Sequence, residues 1–154
     1  MSDYKAKFTV IPCAVCGQLV DVNNFGHGDC EHCGWHQDEM CLEYPNEVAY
    51  PNMVSYNKAK ALYKQGLPLK PSLDDFIEGL KYYKEMEFEY GGTLYAVCHH
   101  SDDTICYSEY FSTGSFEPQI YDSYEEFAGK AHIGGKLLKD IWDDVTNADY
   151  MACR

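Results

Sequence analysis

The sequence predicts an α+β fold: a small N-terminal ribbon with a following helix, then a helix, an antiparallel β-meander and two C-terminal helices. Three observations lead there. Two C-x-x-C-G units lie within the first 34 residues. Apolar residues recur at helical spacing after Ser72 and switch to strict alternation around Phe88. Gly-Gly pairs and cap-forming serines punctuate the rest. A proline-bearing segment near residue 67 separates an N-terminal module, residues 1–67, from a C-terminal one, residues 68–154.

The ribbon comes first. Cys13-Ala-Val-Cys16-Gly17 and Cys30-Glu-His-Cys33-Gly34 are separated by 13 residues. Each C-x-x-C turn sets two sulfurs on one side of a tight loop, and the glycine after it permits the positive φ that the turn needs. Residues 18–22 are strand-like and residues 25–28 form a flexible return, as a ribbon hairpin requires. Eight cysteines in a chain with no evident leader point to a metal site rather than a disulfide framework. Two facing knuckles make a closed tetrahedron of four thiolates, so Cys13, Cys16, Cys30 and Cys33 are expected to hold one structural Zn2+ per chain. No coordination position remains for hydrolytic chemistry. His27, His32 and His36 crowd the same segment and are expected to lie outside the ligand set.

Beyond the knuckles, Cys33-Gly-Trp-His-Gln-Asp-Glu39 places Trp35 and an acidic run after the second cysteine pair. Pro51-Asn-Met-Val-Ser-Tyr-Asn-Lys-Ala-Lys60 reads as a helix start. On these motifs residues 8–67 resemble the small bacterial cysteine-rich CPCC family, named for its Cys-Pro-Cys-Cys motif. Ala14 and Val15 stand where the eponymous Pro and Cys would be. The resemblance implies a zinc ribbon and carries no established chemistry.

Ser55 can cap a helix over 56–65 with Gly66 as its stop. Ser72 can cap a second, whose Leu73, Phe76, Ile77, Leu80 and Tyr83 form one apolar stripe. Phe88 and Tyr90 then alternate with Glu87 and Glu89, Gly91-Gly92 makes a hairpin, and 93–98 returns. A turn at 101–103 leads into a strand over 104–111, and 119–121 adds a fourth. Ser123-x-x-Glu126 is a capping box that opens a helix. After Gly134-Gly135, the spacing of Leu137, Leu138, Ile141, Trp142 and Val145 predicts a final amphipathic helix. Phe88-Glu-Tyr-Gly-Gly-Thr-Leu-Tyr95, residues 120–127 and Ile133-Gly-Gly-Lys-Leu-Leu-Lys-Asp-Ile-Trp142 are similar to a domain of uncharacterised proteins from low-GC Gram-positive bacteria and their phages. That resemblance implies a mobile-element origin and no activity.

Composition narrows the function. The chain has 154 residues, 45% of them hydrophobic, which suits one domain or two small modules. Its apolar runs are far shorter than the roughly 20 residues that span a bilayer, and its first ten residues carry Asp3, Lys5 and Lys7 and no apolar core. A cytoplasmic location in a bacterial host cell is expected. The formal net charge is −13. Residues 1–71 hold six basic and eight acidic groups, a net of −2, whereas residues 72–154 hold six and 17, a net of −11. The only arginine is Arg154. Nucleic-acid binding needs Lys and Arg to neutralise phosphate, so DNA, RNA and anionic membranes are excluded as direct partners. A basic protein surface fits instead.

Cys98, His99, His100 and Cys106 invite an enzyme reading. A catalytic thiol needs an adjacent, oriented base, and a half-buried strand with exposed turn histidines explains the same residues. No P-loop, dinucleotide fingerprint, serine elbow or His-Glu-x-x-His is present. The 14 tyrosines, interleaved with carboxylates, suit a surface that meets Lys and Arg. Glu85, Glu87, Glu89 and Tyr90 are the candidate contact residues, with the carboxylates expected on the solvent face of their strand. The sequence therefore reads as a non-catalytic zinc-containing binding protein for a basic partner. Its sharpest form is a phage or mobile-element inhibitor of a host nucleic-acid-binding defence enzyme, of anti-CRISPR or anti-restriction type. An immunity or antitoxin-like protein that neutralises a basic toxin is the alternative, and an enzyme using Cys98, His99 or His100 is the third.

Overall fold

The computed structural model describes residues 9–49, 51–111, 114 and 116–150; Arg154 and the first eight residues lie outside them. The chain divides into two compact units, one ending at Lys70 and the other beginning at Pro71.

The first unit is built on two short hairpins. β1 (Thr9–Pro12) pairs antiparallel with β2 (Leu19–Val22), and β3 (Gly28–Asp29) with β4 (His36–Gln37). Alternation works as the pleat demands: Val20 and Val22 are buried, while Leu19 and Asp21 face water. The acidic run after Trp35 is the start of a helix that the sequence pattern did not predict. In α1 (Glu39–Glu43) Asp38 is the cap, accepting from Met40 N at 2.9 Å. α2 (Tyr56–Lys64) begins at Ser55, whose Oγ accepts from Lys58 N at 3.2 Å, and stops at Gly66 with φ of 72°. Val20, Val22, Trp35, Cys41, Val54 and Ala59 close a small core together with Cys13 and Cys30. Tyr56 lies beside the Trp35 ring and donates from its hydroxyl to Ala14 O at 3.1 Å, pinning α2 to the first knuckle.

The second unit opens with α3 (Leu73–Tyr83). Its cap is a full capping box, Ser72 with Asp75, and its buried residues are Phe76, Ile77 and Leu80. The meander follows as expected: β5 (Glu85–Tyr90), β6 (Thr93–His99), β7 (Ile105–Glu109) and β8 (Gln119–Tyr121) pair in sequence. α4 (Tyr124–Lys130) is capped by Ser123, but Glu126 reaches back to Asp122 N rather than to the cap residue.

The end of the unit departs from the expected pattern. Gly134-Gly135 joins a small hairpin of β9 (His132–Ile133) and β10 (Lys136–Leu137). The expected final helix is one turn, α5 (Leu138–Ile141), and a 3-10 turn over Trp142–Asp144. Leu138, Ile141, Trp142 and Val145 are all buried, so their spacing marked the buried side correctly. Val145, however, is extended, and the chain returns as β11 (Thr146–Tyr150) beside β5. The sheet therefore has five strands in the order β11-β5-β6-β7-β8. Trp142 is fixed there, its Nε1 donating to Pro71 O at 2.9 Å and its ring 5.1 Å from that of Phe76.

Candidate metal centre

The two knuckles are built alike. Cys13 N donates to Gln18 O at 2.7 Å, and Cys30 N donates to Trp35 O at 2.9 Å. Gly17 N and Gly34 N close the turns onto Cys13 O and Cys30 O, with φ of 79° and 80°. These are the left-handed conformations for which glycine was expected.

The turns bring all four sulfurs of Cys13, Cys16, Cys30 and Cys33 within 4.8 Å of one another. Cys13 Sγ lies 3.7 Å from Cys33 Sγ, and Cys16 Sγ lies 3.5 Å from Cys30 Sγ. A metal–sulfur distance of about 2.3 Å in a tetrahedron sets sulfur–sulfur edges of about 3.8 Å. Two edges lie near that value and none exceeds 4.8 Å, so the cluster could hold a metal ion.

Side chains distant in sequence support it. Gln37 is buried, donating from Nε2 to Cys13 Sγ at 3.2 Å and accepting at Oε1 from Ala14 N at 3.0 Å. Asn52, also buried, grips the backbone of His36 from both sides: its Oδ1 accepts from His36 N and its Nδ2 donates to His36 O, each at 3.0 Å. Neither residue was singled out from the sequence. Their polarity inside a Cys-rich segment was the available signal.

The thiols are unequal. Burial penalises the Cys13 thiolate, but the N–H groups of Cys16 and Val15, the Gln37 amide and Cys33 outweigh it and lower the pKa to about 7. Burial pushes the Cys33 thiol well up, and the sulfurs of Cys13, Cys16 and Cys30 add to the effect. Cys16 is raised by burial as well. One sulfur is thus ready to ionise, and Cys16 and Cys33 gain from a cation that offsets their burial.

His32 is exposed, with its Nε2 3.5 Å from the Tyr63 hydroxyl. His27 and His36 stack on each other, and none of the three is among the four clustered ligands.

The other candidates fall in the second unit. Cys98 and Cys106 are directly opposed across β6 and β7. Burial pushes the Cys98 thiol up, and Glu85 and Cys106 add to it, which disfavours the nucleophilic thiolate. His99 is the next residue in the strand, so it points to the opposite face. Its ring nitrogens meet the Tyr124 hydroxyl and Asp103 Oδ1, the latter at 3.1 Å. His100 is exposed at the turn.

The proposed contact strand needs a correction. Glu85 is exposed and Glu89 and Tyr90 are half-buried, but Glu87 is only 7% exposed. The reason is β11: with a strand on each side, β5 is interior, and Glu87 sits between Ala96 and Asp149. Among the described residues, no helix is long and apolar enough to cross a membrane. Comparison with protein-family models, curated proteins and solved structures yields no match.

Proposed function

We propose that the chain is a non-catalytic, zinc-containing binding protein that docks on a basic protein surface. The four-sulfur cluster is the observation that carries the reading. Four thiolates at tetrahedral spacing suit Zn2+, and four protein ligands leave no position for water or substrate, so the ion is structural. It would supply stability that a core of so few side chains cannot supply alone.

The charge carries the partner class. The second unit has a net charge of −11, spread over carboxylates at β5, the turns and the helix starts. Such a surface attracts a basic groove and speeds encounter. A nucleic-acid-binding enzyme has that groove, so inhibition of such an enzyme is the most specific form of this reading. An immunity-type protein directed at a basic nuclease would use the same electrostatics.

The test is affinity capture with the full chain, comparing Glu85→Lys/Glu89→Lys with Glu43→Lys/Glu47→Lys as the control from the near-neutral unit. Strongly basic proteins should be retained, released by salt as the screening length shrinks below about 8 Å, and lost with the first pair of reversals only. Capture indifferent to salt and to both pairs would overturn the proposal.

A further inference from the structure

We propose that His27 and His36 form a second metal site, open to solvent, for a divalent borderline transition-metal ion such as Zn2+ or Ni2+. It lies on the opposite face of the second hairpin from the four-cysteine centre and shares no ligand with it.

The hairpin register creates the site. Gly28 pairs with Gln37 and Asp29 with His36. Side chains alternate, so Gln37 turns in toward Cys13 while His27, Asp29, His36 and Asp38 share the other face. The two imidazoles stack with centroids 5.6 Å apart and planes inclined by 27°. The Asp29 carboxylate is hydrogen-bonded to the His36 ring, and the Asp38 carboxylate lies near the His27 ring without bonding to it. Asp29 Oδ1 lies 2.7 Å from Nδ1 of His36, and Asp38 Oδ2 lies 3.9 Å from Nδ1 of His27.

A carboxylate bonded at Nδ1, as Asp29 is to His36, fixes the tautomer that leaves Nε2 free to bind, as at metal-binding histidines. Among the described residues, Nε2 of neither ring has a hydrogen-bond partner. Both side chains reach solvent, at 39% for His27 and 19% for His36. An ordinary pair of surface ion pairs would not require two such rings to lie against each other. Imidazole nitrogen suits Zn2+, Ni2+ and Cu2+. Metal–nitrogen bonds of about 2.0–2.1 Å bring two nitrogens to about 3.3 Å in a tetrahedral site. A 5.6 Å centroid separation leaves room for both rings to turn a nitrogen toward one ion with a small approach, which Asp29, 80% exposed, is free to follow. Water completes the coordination, so the site is exchangeable where the four-thiolate site is closed.

The experiment titrates the full-length protein, as isolated and freed of loose metal, with Zn2+ and separately with Ni2+ by calorimetry. One further equivalent should bind to the wild type. His27→Gln and His36→Gln should each abolish it, and Asp29→Asn should weaken it by about 10-fold, the scale of losing an orienting carboxylate. His32→Gln should leave it unchanged. Thermal melts of the variants confirm that they fold. No further equivalent in the wild type, or an equivalent that persists in the His27→Gln/His36→Gln double variant, overturns the proposal. Failure of the four-cysteine reading shows separately, as absence of metal in the isolated protein and of any loss on Cys33→Ser.

Discussion

The Gln37 side-chain amide donates to Cys13 Sγ at 3.2 Å, and the same amide accepts from Ala14 N at 3.0 Å. One buried side chain on the second hairpin thus holds both a sulfur of the first knuckle and the backbone next to it. It ties the two halves of the centre together before any ion enters.

Gln37→Leu keeps the volume and removes both bonds. Metal affinity should fall about 10–100-fold, the range found when a group that orients a ligand is lost. Gln37→Glu should lose more, because a buried carboxylate would face a thiolate. Competition with a chelator at fixed pH measures both. Unchanged affinity in Gln37→Leu would reduce the residue to packing.

The Tyr107 ring is fully buried among Phe88, Tyr95 and Phe127, and its hydroxyl has no hydrogen-bond partner among the described residues. Burial pushes this phenol far up, so the group is neutral and unsatisfied. Tyr107→Phe deletes the orphan oxygen and keeps the ring contacts. Stability should be unchanged or rise by about 1 kcal/mol, since an unmade buried hydrogen bond costs about that much or more. A clear fall in the denaturant midpoint would show that the hydroxyl has a partner.

These two residues also mark where the sequence stopped being informative. What is local was legible: the C-x-x-C-G turns, the serine caps at Ser55 and Ser72, and the hairpin at Gly91-Gly92 each need only their neighbours. The Gln37–Cys13 bond spans 24 residues, and no pattern in the chain announces it. β11 is the larger miss. Thr146-Asn-Ala-Asp-Tyr150 is polar and bulged, so it lacks the alternation of a strand and exists because β5 offers it an edge. Pairing with it flanks Glu87 with a second strand, and the residue is only 7% exposed, not open to solvent as that strand's alternation suggested. The last helix failed for a related reason. Leu138, Ile141, Trp142 and Val145 meet the core from a one-turn helix followed by a 3-10 turn, which presents a similar apolar spacing.

Acid should destabilise the second unit in a particular way. The Thr104 hydroxyl and N–H hold the Asp102 carboxyl below its ordinary range, and the Asp122 N–H with Lys130 does the same for Glu126. A carboxyl depressed in the folded state stabilises it above the unfolded pKa and ceases to as pH falls through the folded one. The urea midpoint should therefore hold at neutral pH and fall below about pH 5, where unfolded carboxyls begin to protonate. Glu126→Gln should start lower at neutral pH and fall less in acid. Parallel acid limbs for the variant and the wild type would contradict this.

The central claim is that Cys13, Cys16, Cys30 and Cys33 together hold one structural ion. Cobalt substitution tests it most directly, because Co2+ reports its ligands by colour. The protein loaded with one equivalent of Co2+ should show intense thiolate charge-transfer bands and the visible bands of a tetrahedral ion. Zn2+ should displace it and bleach both. Cys33→Ser should lose the four-thiolate spectrum and melt at a lower temperature. A first equivalent of Co2+ that binds without thiolate bands, or a Cys33→Ser protein with the spectrum and melting of the wild type, would contradict the account.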